Sequence, residues 1–148
     1  MFNNNPYISN SELTAFRRNR AFLNGDIDEL LYVFNILIDE SLEQKSYSRA
    51  LFNLWSALSI CEYATDQQQV EKTLSHTLNF SPFLHKIEDY TILIESIVTR
   101  FLNCSNEITS TSYFILSLLC INQKKLERSY NYAKMAYFYA KQIDGNRE

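Results

Sequence analysis

The residues of this chain whose types suit chemistry are two histidines, three cysteines, adjacent acids such as Asp39-Glu40 and Glu88-Asp89, and one arginine cluster. His76 and His85 stand nine residues apart on different predicted helices, and neither has a nearby cysteine or a paired acid at metal-ligand spacing. They read as surface or satisfied core histidines. Cys61, Cys104 and Cys120 are odd in number and form no Cys-x-x-Cys pair, so they read as reduced, buried, small apolar residues. Asp39-Glu40 and Glu88-Asp89 are neighbours in sequence, which on a helix sends them in different directions and makes neither pair a convergent acid and base. His-Glu-x-x-His, Gly-x-Ser-x-Gly and P-loop patterns are absent. The expectation is therefore no catalytic residue, no metal, no cofactor and no enzyme. Arg17-Arg18-Asn19-Arg20 is the densest basic cluster. A DNA-reading helix would sit in a helix-turn-helix and bring more positive charge, so the cluster reads as a solvated face or a contact to an acidic partner.

The elements that position these residues are predicted to be helices. The chain has 148 residues, enough for one ordinary domain, with only two glycines and two prolines. A β-rich fold of that length needs many tight turns, and Gly-rich phosphate loops need several glycines close together. Apolar residues make up 46% and charged ones 21%, so the chain can bury a core and is not disordered. Leu30–Ile38 and Tyr113–Ile121 are its longest apolar runs, both far short of a membrane span. The start, Met-Phe-Asn-Asn-Asn-Pro-Tyr, lacks the basic-then-apolar order of a secretory signal, which leads to the expectation of a cytoplasmic protein.

A net charge of −3 argues against nucleic-acid binding over the whole surface. The charges are unevenly spread: residues 21–44 hold six acids and no base, and residues 120–148 hold six bases against three acids. Such complementary ends suit head-to-tail contact or opposed partner surfaces, and equally ordinary solvated faces.

Apolar spacing and end signals predict about seven antiparallel helices in one domain over 9–145, after a flexible leader (1–8) and before a tail (146–148). Ser9 to Glu12 fits a capping box, with the first helix ending at Asn24-Gly25; Asp26 and Glu29 fit a second box. Helix two runs to about Glu43 to Lys45, helix three from about Tyr47 to Ala64, and helix four from Asp66 to about Leu78. Ser81-Pro82 starts a fifth that runs to about Leu102. Asn103 to Ser110 is a loop, and helices six and seven cover about Thr111 to Gln123 and Leu126 to Ile143.

Two helix pairs carry a repeat signal. Phe34-x-x-Leu37 is followed by Tyr47, Ala50, Leu54, Ala57 and Leu58; Tyr113-x-x-Leu116-Ser117-x-x-Cys120 is followed by Leu126, Ser129, Ala133 and Ala136. These segments, about 31–62 and 110–143, resemble tetratricopeptide repeats, in which small residues let paired helices approach closely. They depart from that pattern at Ile38, Ser41 and Glu62, and their offset of 79 residues, Phe34 to Tyr113, is two 34-residue periods plus 11. A helical bundle is the other arrangement that fits. The resemblance implies a concave surface for a peptide or partner helix, involving Tyr32, Asn35, Asp39, Phe114, Leu118 and Asn122. It lacks basic residues there for a terminal carboxylate.

On the last helix Ser129, Ala133, Ala136, Ala140 and Ile143 form a small face suited to packing on helix six. Tyr130 and Tyr137 flank it on one side and Tyr132 and Tyr139 on the other, with Met135 and Phe138 towards the far face. A terminal helix so aromatic is expected to be covered by a partner, by a second copy or by the N-terminal helix, through Tyr132, Met135, Phe138 and Tyr139. Together these features point to a non-catalytic adaptor, chaperone or regulatory module that binds another protein or peptide, without nucleic acid or membrane. A second reading is a structural subunit of a homo- or hetero-oligomer joined through the last helix, and a third is an enzyme that carries no local motif.

Overall fold

The computed structural model describes residues 10–147, with side chains from Glu12 to Ile143. The leader 1–8, the Ser9 cap and Glu148 lie outside the described residues. Seven α-helices and no strand occur among the described residues: α1 (Asn10–Leu23), α2 (Ile27–Glu43), α3 (Tyr47–Cys61), α4 (Gln67–Phe80), α5 (Ile87–Phe101), α6 (Asn106–Asn122) and α7 (Leu126–Arg147). The expected all-α class is the fold observed. The chain groups into two compact units that divide after Gln69, inside α4 and inside the stretch read from the sequence as one domain.

Three connections of three residues join α1 to α2, α2 to α3 and α6 to α7, and all three are the same turn. The middle residue of each is left-handed: Gly25 at φ 67°, Lys45 at 56° and Lys124 at 62°. Its N–H donates three residues back, to Phe22, Leu42 and Ile121, and the next N–H donates five back, to Ala21, Ser41 and Cys120. This pair of bonds, the Schellman motif, satisfies carbonyls that a helix end leaves open. A side chain in the left-handed region costs about 1–2 kcal/mol, so the two lysines are held there by the closure around them. Only Gly25 is marked in the sequence.

The first unit is built on α2. Asp26 caps it, accepting the Glu29 N–H at 3.1 Å. The return half of the expected capping box is replaced, because the Glu29 carboxylate accepts from Arg17 of α1 instead. Leu30, Leu31, Val33, Phe34, Leu37 and Ile38 are buried along α2 and meet Ala50, Leu54, Ala57, Leu58 and Cys61 of α3. Apolar burial of this kind contributes on the order of 25 cal/mol per Å².

In the second unit α6 is central, packing on α5 and on α7. It starts five residues before the position read from the sequence. The polar run Asn103 to Ser110 looks like a loop, but Ser105 caps the helix by accepting the Ile108 N–H at 3.1 Å. The Thr109 hydroxyl is buried by donating to Phe101 O at 3.1 Å. The other boundary error runs the opposite way. Ser81-Pro82-Phe83 forms one 3-10 turn, Leu84 is extended and Lys86 left-handed, so α5 begins only at Ile87. At the end of the chain α7 continues through Gly145, which therefore does not terminate it.

α2 and α6 are each 17 residues long. The 79-residue offset that carries Phe34 onto Tyr113 also carries cap Asp26 onto cap Ser105 and Lys45 onto Lys124. Hairpins α2–α3 and α6–α7 are thus related in register at both ends of their first helix and through the turn.

Candidate functional site

In the first unit, Tyr32 is partly exposed on α2 with the Arg17 guanidinium 5.2 Å from its ring centroid, and Asp39 is half-buried. Asn35 is not on a surface. It is fully buried, and its amide donates to Gln69 O at 3.1 Å and to Gln69 Oε1 at 3.0 Å. A polar residue within an amphipathic helix is expected to face outward, whereas here it ties α2 to the start of α4. In the second unit Phe114 is 48% exposed, Leu118 half-buried and Asn122 exposed, with its amide donating to Ser81 O at 3.0 Å.

The last helix divides into two sides. Tyr132 and Tyr139 turn inward on Tyr113 of α6, with ring centroids 6.1 and 5.9 Å away, and Tyr132 OH donates to Glu95 of α5 at 3.2 Å. Burial pushes the Tyr113 and Tyr132 hydroxyls above the usual tyrosine range, reinforced by Tyr139 and by Glu95 respectively. Two of the four residues expected at an interface are thus used within the unit. Met135 and Phe138 remain partly exposed, and Phe138 stands edge-on to Tyr139 with centroids 5.2 Å apart.

Tyr130 and Tyr137, on the other flank, are 64% and 66% exposed. Lys134 and Lys141 place their ammonium groups 5.3 and 5.5 Å from these ring centroids. Beside them a groove of about 430 Å³ opens between α6 and α7, lined by Phe114, Ala133, Ala136, Tyr137 and Ala140, with Leu78 of α4 and with Ser110 and Thr111 as polar members. Its floor is formed by a close crossing. Ser117 Oγ donates to Ser129 O at 2.9 Å and lies 3.0 Å from Ser129 Oγ, and Ser110 Oγ donates to Ala136 O at 2.8 Å. Small residues at 129 and 136, both buried, permit that approach. Phe114 is the one residue of the expected groove set that lines this cavity.

The remaining chemistry-bearing groups are placed as follows. Cys61 and Cys120 are buried free thiols, as expected, and burial pushes the Cys120 thiol up. Cys104 is exposed in the turn after α5, contrary to expectation, because the helix that precedes it ends at Phe101. His76 is buried on α4 and His85 exposed. No group of three or more His, Cys, Asp or Glu residues could hold a metal ion among the described residues. Several acids of residues 21–44 are engaged inside the first unit: Glu29 with Arg17, Glu40 with Thr14, and Asp28 with Thr65 and Asp66. Arg17 is correspondingly raised, chiefly by its hydrogen bond to Glu29. Within the described residues no helix is long and apolar enough to cross a membrane.

These observations define an all-α protein of short-turned helix hairpins with an open apolar groove among the described residues. Comparison with family models, with curated proteins and with solved structures gives no match to the chain.

Proposed function

We propose that this chain is a non-catalytic protein–protein interaction module, built from tetratricopeptide-like helix hairpins, that seats a helical segment of a protein partner on the α6–α7 face. Adaptor or chaperone duty in the cytoplasm is the role this arrangement suits. The observation that carries the reading is the apolar groove, floored by alanines and edged by the exposed rings of Phe114 and Tyr137. Tyr, Phe and Met exposed side by side are costly for a surface in water and characteristic of interfaces. The repeat-like character is supported by the common register of the two hairpins, with small residues Ala57 and Ala136 at matching positions.

The test is affinity purification of the tagged chain from its native source, with Phe114→Asp and Tyr137→Asp beside the wild type. Both side chains are about half exposed or more, so the variants should keep the wild-type helical signal and melting temperature. Expected is a reproducible protein partner that the wild type retains and both variants lose. Recovery of the same proteins by all three would refute this face as the docking surface.

A further inference from the structure

The inference deepens the proposed function and rests on the α6–α7 face being a docking surface; it names the occupant. Along α7, Leu126, Tyr130, Ala133, Tyr137 and Ala140 recur at steps of four, three, four and three. That is the spacing of a two-helix seam. Within the unit α6 takes a different side of α7, the one carrying buried Ser129 and Ala136 and the inward Tyr132 and Tyr139. Leu126, Tyr130 and Tyr137 are 70%, 64% and 66% exposed, and Ala133 is exposed between them. The chain thus carries a helix-pairing stripe that α6 leaves open.

We propose that this stripe pairs with α7 of a second copy, the two helices running antiparallel about a twofold axis. The argument is self-complementarity. Setting each tyrosine opposite an alanine places Tyr130 on the second copy's Ala140 and Tyr137 on the second copy's Ala133, so large meets small in every one of these layers. The flank bordering the stripe carries Glu127, Lys134 and Lys141, all exposed. In the same register Glu127 faces the second copy's Lys141 at both ends of the seam, and Lys134 approaches its counterpart near the axis. A parallel pairing in register would instead set Tyr130 on Tyr130, Tyr137 on Tyr137 and Ala133 on Ala133, large against large and small against small. The antiparallel pairing uses one patch twice and closes on itself, as a twofold dimer must. The charge pattern along a seam's flank is a recognised determinant of helix orientation.

Sedimentation equilibrium of the full chain over micromolar concentrations tests this. A dimer mass is expected for the wild type, and a monomer for Tyr137→Asp with its helical signal unchanged. Glu127→Lys makes the whole flank positive and should weaken the dimer about tenfold, the scale of losing two interfacial charge pairs to repulsion. Adding Lys141→Glu to that variant restores the opposite pairing and should recover most of the loss, while Lys134→Gln should tighten the dimer. A wild type that stays monomeric, a dimer that survives Tyr137→Asp, or a double variant no better than Glu127→Lys would overturn the proposal. A monomeric wild type whose partner capture still depends on Tyr137 would remove the second copy and leave the docking face standing. Loss of both would remove the face as well.

Discussion

Hairpins α2–α3 and α6–α7 share a first helix of equal length, a side-chain cap and a left-handed lysine turn, yet they finish differently. In the first, α3 buries Ala50, Asn53, Leu54, Ala57, Leu58 and Cys61. In the second, the buried residues of α7 among those described are Ser129 and Ala136. Leu54 and Ala133 occupy matching positions under the 79-residue offset, one fully buried and the other exposed. Backbone caps set how a hairpin turns, whereas side-chain volume sets how much of it is left for something else to cover. The second hairpin is a close copy of the first in its turn and an unfinished one in its surface.

The largest effect that would sharpen this contrast is in the first hairpin. Leu54→Ala should cost about 2–5 kcal/mol by urea denaturation, from lost burial and the cavity left behind. Ala57 and Ala136 come next, because both are buried small residues at matching positions. Enlarging either to Leu forces the helices apart and should cost about 1–3 kcal/mol. Similar losses at the two sites would support a common crossing; a cost at Ala57 with none at Ala136 would break the comparison.

The sequence made much of this legible. Gly and Pro scarcity with three- and four-residue apolar spacing is enough to predict seven helices, because burial enforces that period on any amphipathic helix. The turn at Gly25 is visible since only glycine advertises a left-handed residue, whereas Lys45 and Lys124 adopt the same conformation under tertiary constraint and look like ordinary surface lysines. Asn35 and the start of α6 escape the sequence pattern for a related reason. Hydrogen bonds to Gln69 and Phe101 satisfy polar groups that pattern alone assigns to solvent. Of the site, Phe114 and the flanking positions of Tyr130 and Tyr137 were legible. The inward turn of Tyr132 and Tyr139 was not, because it depends on Tyr113, a partner from another helix.

A smaller effect tests whether the turns are equivalent. Lys45→Gly and Lys124→Gly each remove the left-handed strain while loosening the unfolded chain, so each should raise stability by about 0.5–1 kcal/mol. Thermal melts of the two variants should shift upward by similar amounts. A gain at one turn and a loss at the other would show that the shared geometry hides different constraints.

The smallest expected effect is in pH, where carboxyls of the two units, Asp28 and Glu71, are shifted in opposite directions. Burial pushes the Asp28 carboxyl up, but hydrogen bonds from the Thr65 hydroxyl and from the Asp66 and Thr65 N–H groups outweigh it and hold it below the usual range. Its unfolded value is about 3.9, so the stability it contributes is complete above that and is lost as pH falls through the lower folded value. Glu71 of α4 is raised, first by burial and then by the nearby Glu107 charge. For a raised carboxyl the folded state holds the proton more tightly. Its penalty is therefore complete above the folded value and is relieved as pH falls towards the unfolded value of about 4.3. Acidification should first relieve the second unit and then weaken the first. In urea titrations across this range, Glu71→Gln should remove the early gain and Asp28→Asn should flatten the later loss. If both variants kept the wild-type profile, the opposite electrostatic contributions of Asp28 and Glu71 would be refuted, leaving packing as the difference between the two units.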